Sequence, residues 1–223
     1  MAFSLLVSTS GNAASDPANT AVTPAIDTTG ADLIVVFGAS IFGYATLTDS
    51  ESNTWTSLTG QNHIGFYFGR IYYCVTPITS ATHTFTYATT SFFPSLCVQA
   101  WSGVAASPFD QENGATYGQF PDQPVVPGSV TPSEDDELLV TGLSWGNAGA
   151  DTVIGINSGF TVSDDEQMLT GQNGGAAMAY KVQTSAGAEN PEWSSTQNIS
   201  NITTAIATFK AAPSGGLRRF FLT

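Results

Sequence analysis

Apolar and polar positions alternate along much of this chain, as they do in β-strands. In residues 82–87 threonine occupies one parity, while His83, Phe85 and Tyr87 occupy the other, so a period of two is met. The segment Ile64–Val75 also has a strand pattern, but both of its faces are apolar. We therefore expect this strand to lie between two layers or at a subunit contact.

Seven further segments are predicted strands, because Thr, Val, Ile, Tyr and Phe suit a pleated surface. They are Phe3–Val7, Asp32–Gly38, Asn53–Leu58, Ser95–Ser102, Leu138–Trp145, Ala177–Gln183 and Asn201–Lys210. Turn signals such as Asn113-Gly114 and Asn173-Gly174 separate the strands, and long runs of helix formers are absent. The pattern predicts an all-β protein, an antiparallel, jelly-roll-like β-sandwich of about ten to thirteen strands.

The sequence predicts one β-sandwich domain over residues 1–212, with a flexible linker and tail over residues 213–223. Residues 107–132 are rich in Pro, Gly and Gln and are predicted to form a long surface loop. The alternative is that this stretch crosses between two sheets or halves, which would give two subdomains. We expect the N-terminal residues to form a first strand rather than a signal peptide, and no apolar run is long enough to span a membrane.

Charge is distributed unevenly along the chain. The 18 acidic and five basic residues give a net charge of −13, which argues against a nucleic-acid partner. Two of the five basic residues, Arg218 and Arg219, are adjacent in the tail, so residues 1–216 carry a net charge of −15. We predict that Arg218, Arg219, Phe220 and Phe221 dock onto an acidic neighbouring subunit, for example by strand addition. The alternative is a tail that folds back on its own domain or stays disordered.

Two residues of the long loop, Phe109 and Tyr117, are the second predicted contact site.

No catalytic residue is predicted, and we expect the protein not to be an enzyme. The G-x-S-x-G motif at Gly142–Gly146 needs a helix after Ser144 and a histidine later in the chain. Since His63 and His83 both precede it, Ser144 is interpreted as a strand-end residue and His83 as a structural histidine.

Metal and cofactor chemistry is weakly indicated. The run Asp49–Asn53 alternates oxygen ligands as Ca²⁺ loops do, but it lacks the glycine and terminal glutamate of an EF-hand loop. We therefore expect no cofactor, with Ca²⁺ as the alternative.

The acidic runs Glu134–Glu137 and Asp164–Glu166 are expected in solvated loops. Cys74 and Cys97 are expected to be buried thiols, with a cross-strand disulfide left open. Three of the four tryptophans, Trp55, Trp101 and Trp145, are expected in the core.

Several segments in succession resemble β-sandwich proteins common in tailed-phage genomes and prophages. They are TGADLIVV, SNTWTSLT, RIYYCVTP, THTFTYA, VQAWSGV, PFDQENGA and PGSVTPSEDDELLVTGL. The resemblance covers most of residues 25–210 and its motifs are architectural. It implies a virion structural protein, most simply a capsid cement or decoration protein that stabilises the head by subunit contacts.

The partners implied are the major capsid protein or other virion proteins, together with further copies of the chain in a homo-oligomer, often threefold or sixfold. The implied localisation is the virion, assembled in the host cytoplasm. The alternative is a tail-associated or fibre module that binds a carbohydrate or receptor. Such a module would bind sugars through exposed aromatic side chains, for which Trp193 is the candidate.

Overall fold

The computed structural model describes residues 2–13, 19–89, 92–146, 152–167 and 174–213, with the backbone alone at Phe92. Its regular structure is entirely β, in sixteen strands. They are Ser4–Asn12 (β1), Thr20–Val22 (β2), Leu33–Ile41 (β3), Thr46–Asp49 (β4), Thr56–Ser57 (β5), Gln61–His63 (β6), Tyr67–Val75 (β7), Phe85–Ala88 (β8), Phe92–Ser102 (β9), Val104–Gln119 (β10), Leu138–Gly146 (β11), Ile154–Ile156 (β12), Thr161–Gln167 (β13), Gly175–Val182 (β14), Trp193–Ser195 (β15) and Ser200–Ala211 (β16). None of the described residues forms a helix that could cross a membrane.

Two main antiparallel sheets form the body of the molecule. The first has the order β1-β9-β3-β7-β5, with β6 also paired to β7, and the second has the order β10-β16-β11-β14-β13. Two small sheets, β2-β8-β4 and β12-β15, complete the structure. The predicted all-β antiparallel sandwich is confirmed, and the surplus over the predicted strand number comes from strands of two to four residues.

Three hydrophobic cores separate four layers. The central core lies between the main sheets, where Leu33 and Phe37 face Leu138 and Phe209. A further core lies on the outer face of each main sheet. The first main sheet packs there against β2-β8-β4, and the second packs against β12-β15 and adjoining loops. Strands β3 and β11 are buried at every position because both of their faces are covered, which explains their continuous apolar pattern.

The two halves of the chain, which meet at Gly103, repeat one topology. Strands β1, β3, β7 and β9 of the first half recur in the same sheet order as β10, β11, β14 and β16 of the second. The registers also correspond, because Leu33 pairs with Val75 as Leu138 pairs with Val182. In each half the last strand lies beside the first, and the chain passes between the main sheet and an outer one.

An approximate twofold axis relates the halves. Across the central core β3 faces β11, β7 faces β16 and β9 faces β14. A twofold axis that exchanges β3 with β11, β7 with β14 and β9 with β16 turns the β7–β16 contact into the β14–β9 contact and leaves the β3–β11 contact unchanged. Phe37 follows Leu33 by four residues as Gly142 follows Leu138, so Phe37 and Gly142 hold equivalent positions in the two halves. A Cβ atom on Gly142 would lie 2.2 Å from Phe37 Cδ2. Only one of the two halves can therefore have a large side chain at the axis.

The predicted loop over residues 107–132 is wrong for its first half, because β10 continues to Gln119 and contains Asn113-Gly114. Strand β10 lies at a sheet edge and pairs only with β16, so it tolerates Pro108 and its glycines. Three predicted strands are shorter than expected. Residues 64–66 form a turn before β7, and only Thr56–Ser57 of Asn53–Leu58 is a strand. The strand predicted over residues 82–87 begins only at Phe85.

Candidate docking surfaces

The G-x-S-x-G motif lies wholly within β11. Ser144 is 2% exposed and pairs with Ala176 on one side and Thr203 on the other. A nucleophile elbow is a sharp turn that exposes its serine, so this geometry does not fit one. Ser144 is a buried strand residue, in agreement with the interpretation of the sequence.

A hydroxyl, an imidazole and a carboxylate meet around His83. Its Nδ1 lies 2.9 Å from Thr28 Oγ1, and its Nε2 lies 3.1 Å from Asp49 Oδ1. Thr28, His83 and the Asp49 side chain are all fully buried, so the hydroxyl cannot reach a substrate. Asp49 also accepts hydrogen bonds from the Glu51 amide and the Trp55 indole. The group ties the turn after β4 to the β2-β8-β4 sheet, and the prediction of a structural His83 is confirmed.

The Asp49–Asn53 turn is folded around its own carboxylate. The Asn53 amide and side chain both donate to Asp49, in addition to the donors already named. Its oxygens are therefore directed at protein donors rather than at a cation. Across the described part of the chain, no three His, Cys, Asp or Glu side chains are arranged to hold a metal ion.

The cysteines and most tryptophans belong to the interior. Cys74 and Cys97 are free and buried, as expected, and burial raises the pKa of the Cys97 thiol well above its usual range. Trp101 and Trp145 are core residues, as predicted. The suggestion that Trp193 is an exposed sugar-binding aromatic is wrong, because it is buried in the outer core of the second half.

The acidic run Asp164–Glu166 lies in strand β13, not in the solvated loop that was expected. On the facing edge of the first sheet, Ser10 Oγ and Asn12 Nδ2 donate to Glu166 at 3.0 and 2.7 Å. These bonds close the side of the sandwich between β1 and β13, which we call the closed seam. Burial raises the pKa of Asp164 and that of Glu166.

Mild acidification is expected to stabilise the fold slightly. A carboxyl whose pKa is higher in the folded state binds its proton more tightly there, so stability rises as pH falls from neutral toward about 5. Because Asp164 and Glu166 are partly exposed and screened, we expect a rise in Tm of about 2 °C. Thermal melts of the wild type and of the D164N/E166Q double variant test this. An equal rise in both proteins would contradict it.

An exposed aromatic patch, formed by Phe42, Ile64 and Phe66, lies at one end of the first sheet. Their side chains are 48%, 69% and 46% exposed, although each is large and apolar. The ring centroids of Phe42 and Phe66 are 4.8 Å apart. The Phe42 amide donates to the Phe66 carbonyl at 2.7 Å, which joins the turn after β3 to the turn before β7.

The backbone of the aromatic patch is strained. Phe42 and Ile64 have φ values of 64° and 48°, a region that non-glycine residues seldom adopt. Strain of this kind is found preferentially at functional sites. The sequence pattern placed Ile64 in a strand and missed the patch. The signal that could have found it is an apolar residue directly before a turn glycine, as at Phe42-Gly43 and Ile64-Gly65.

The patch continues along the outer face of β7. Tyr44 packs edge-on against Phe68 at 4.8 Å, and the Arg70 guanidinium lies 3.8 Å from the centroid of the Tyr44 ring. Among the described residues no carboxylate forms an ion pair with Arg70. In a chain of net charge −13, this face therefore combines apolar rings with an unpaired cation.

On the opposite side from the closed seam, the edge of β10 faces β5 and β6; we call this side the open seam. Phe109 is 37% exposed here and stacks on Tyr73, with centroids 6.0 Å apart and ring planes 12° apart. A surface cavity of about 370 Å³ adjoins the two rings and is also lined by Thr56 and Val75. The predicted contact residue Phe109 is thus accessible, and its contact with a partner stays a prediction.

Tyr117 is placed differently from Phe109. It is half-buried, packs against the outer core of its own half and donates from its hydroxyl to the Val126 carbonyl at 2.7 Å. Its contact with a partner also stays a prediction. The predicted contact residues Arg218, Arg219, Phe220 and Phe221 lie outside the described residues, which end at Pro213.

The end of the described chain adjoins acidic residues. Glu134, Asp135 and Asp136 line a cavity of about 350 Å³ together with Ala211–Pro213. The run Glu134–Glu137 lies in a turn, but Glu137 is fully buried and accepts a hydrogen bond from the Glu134 amide. The expectation of a solvated loop is therefore wrong for Glu137.

Comparisons with protein-family models, with curated proteins and with solved structures find no significant match for this chain.

Proposed function

We propose that the chain is a non-enzymatic structural protein of a tailed-phage virion, most simply a capsid cement or decoration protein. The observation that carries the proposal is the aromatic patch: large side chains are held out in solvent on a strained, hydrogen-bonded backbone. Aromatic residues and Arg are enriched where protein subunits contact each other. The resemblance of residues 25–210 to phage β-sandwich proteins supplies the virion context.

The shape of the patch favours a protein partner over a sugar. The Phe42 and Phe66 rings are tilted by 58°, and the Tyr44 and Phe68 rings by 79°, so they form no flat platform for a sugar ring. A corrugated apolar surface suits the side chains of another subunit. With three of the four tryptophans buried, the alternative of a carbohydrate-binding module has less support.

Removing the patch is expected to abolish attachment to particles without unfolding the protein. In the double variant F42S/F66S, affinity for purified particles stripped of the protein should fall at least about tenfold, because central aromatic residues dominate such contacts. Co-sedimentation measures binding, and thermal melts confirm folding. The matched control is I78S, which removes an even more exposed apolar side chain from the loop beyond the other end of β7. Equal binding by F42S/F66S and I78S would count against the patch.

The virion context has its own test. Electron microscopy of purified virions should show the chain as density on the outside of the head, bound across capsomer boundaries. Density on the tail fibres would support the alternative function, and absence from the particle would refute both.

A further inference from the structure

The two seams of the sandwich are equivalent under the approximate twofold axis, but only one is closed by side-chain bonds along its length. At the closed seam Ser10 and Asn12 of β1 donate to Glu166 of β13. At the open seam β10 takes the place of β1, and one carboxylate, that of Glu112, bridges to Thr59. Surface cavities of about 370 and 340 Å³ lie along this seam. The strands on its two sides, β10 and β5, are edge strands of the two main sheets, and an extended segment can add to such an edge.

The pairing of β10 is irregular beside the open seam. Val104 pairs with Ala211, whereas Phe109 pairs with Phe209, so five steps along β10 are matched by two along β16. Of the extra residues, Ala106 and Ser107 are exposed and Pro108 is buried, and Phe109 beside them is accessible. Tyr73 packs against both Phe109 and Phe209, at 6.0 and 5.4 Å between ring centroids. The result is an aromatic floor of the kind that accepts a phenylalanine side chain.

We propose that the occupant of the open seam is the C-terminal segment Leu217–Leu222 of a neighbouring copy of this chain. The segment has four apolar side chains for the floor, Leu217, Phe220, Phe221 and Leu222. Its arginine pair complements Glu112, which no basic residue of the described chain neutralises. This inference deepens the proposed function, since it supplies the contact through which a structural subunit associates with its own kind.

The point where the chain leaves the body favours a neighbour as the recipient. The Ala212 amide donates to the Gly103 carbonyl, and β16 runs antiparallel to β10, so the chain departs heading away from Phe109. Ten residues follow Pro213 and can span about 33 Å when extended.

Disulfide trapping between two full-length variants tests the proposal. Ser107 is exposed at the open seam, and Thr223 directly follows the docking segment. When S107C and T223C are mixed and mildly oxidised, we expect a product of twice the chain mass, because only contact between copies can join them. The native Cys74 and Cys97 are buried and should not compete. The matched control is S158C, an exposed serine in the turn before β13, mixed with T223C in the same way.

Three outcomes decide the matter. The proposal is supported if the yield of S107C with T223C is at least fivefold above that of the S158C control. Adding F109S to the S107C variant should then reduce the yield to that of the control, whereas adding F42S should leave it unchanged. A yield equal to the control overturns it. Efficient bond formation within single chains of an S107C/T223C double variant, with no bond between mixed variants, also overturns it, because the segment then docks on its own copy. No particles are used, so failure here is distinguishable from failure of the aromatic patch to bind particles.

Discussion

Replacing Gly142 with alanine is expected to destabilise the fold by about 3 kcal/mol or more, a large part of the stability of a typical domain. The new Cβ would lie 2.2 Å from both Cγ and Cδ2 of Phe37, at the centre of the interface between the main sheets. Phe37 is fully buried and both sheets are covered on their outer faces, so neither the ring nor the backbone can move aside cheaply. Chemical denaturation of the purified variant measures the loss.

A control and a rescue make this prediction specific. Gly118 lies in β10, and no atom lies within 4 Å of the position that a Cβ would take there, so G118A should change stability by less than about 0.5 kcal/mol. In an F37A background, G142A should cost clearly less than it does alone, because Cγ and the ring atoms that the new Cβ would meet have been removed. An equal cost in both backgrounds would show that the ring is not the obstacle.

The variant D49N is expected to lose about 3 kcal/mol of stability. The Asp49 carboxylate is fully buried and accepts hydrogen bonds from the Trp55 indole, the Asn53 amide and the His83 ring, among others. An asparagine would turn an NH₂ group toward some of these donors, in place of the oxygen that accepts from them. The turn after β4 would then separate from the β2-β8-β4 sheet, and amide hydrogen exchange should show loss of protection there first.

The control for this experiment is D122N, which changes an exposed aspartate in a turn and should leave the melting temperature within about 1 °C of the wild type. If D49N behaved like D122N, the buried group around His83 would contribute little to the fold.

The alternation of side chains was enough to predict the sheets but not their stacking. In β8 Phe85 and Tyr87 point inward, as the period of two requires, and the two apolar faces of β7 are covered at Ile71 and Tyr72, which lie in different cores. A pattern of this kind shows that a face is covered without showing what covers it. The four layers and the twofold repeat therefore emerge only from the pairing of residues far apart in the chain.

Strands β10 and β13 were missed for identifiable reasons. Pro108 and the glycines of β10 are turn signals in the sequence, yet an edge strand with one partner accommodates them. The charges of Asp164 and Glu166 argued for a solvated loop, yet Ser10 and its neighbours, more than 150 residues earlier, supply the donors that let them lie in a strand. The aromatic patch was hidden because a positive φ at Ile64 leaves no trace in the identity of that residue.

The difference between the two seams determines how many seam contacts one chain can accept. A symmetric pair of separate halves would have two identical seams, both closed or both open. In this single polypeptide one seam is sealed by Ser10, Asn12 and Glu166, whereas the other is accessible at Phe109. If the C-terminal segment docks in the open seam as proposed, each chain offers one acceptor and one donor, and contacts through the seam are head-to-tail. Such contacts build either a closed ring or an open filament, and the angle between successive subunits decides which.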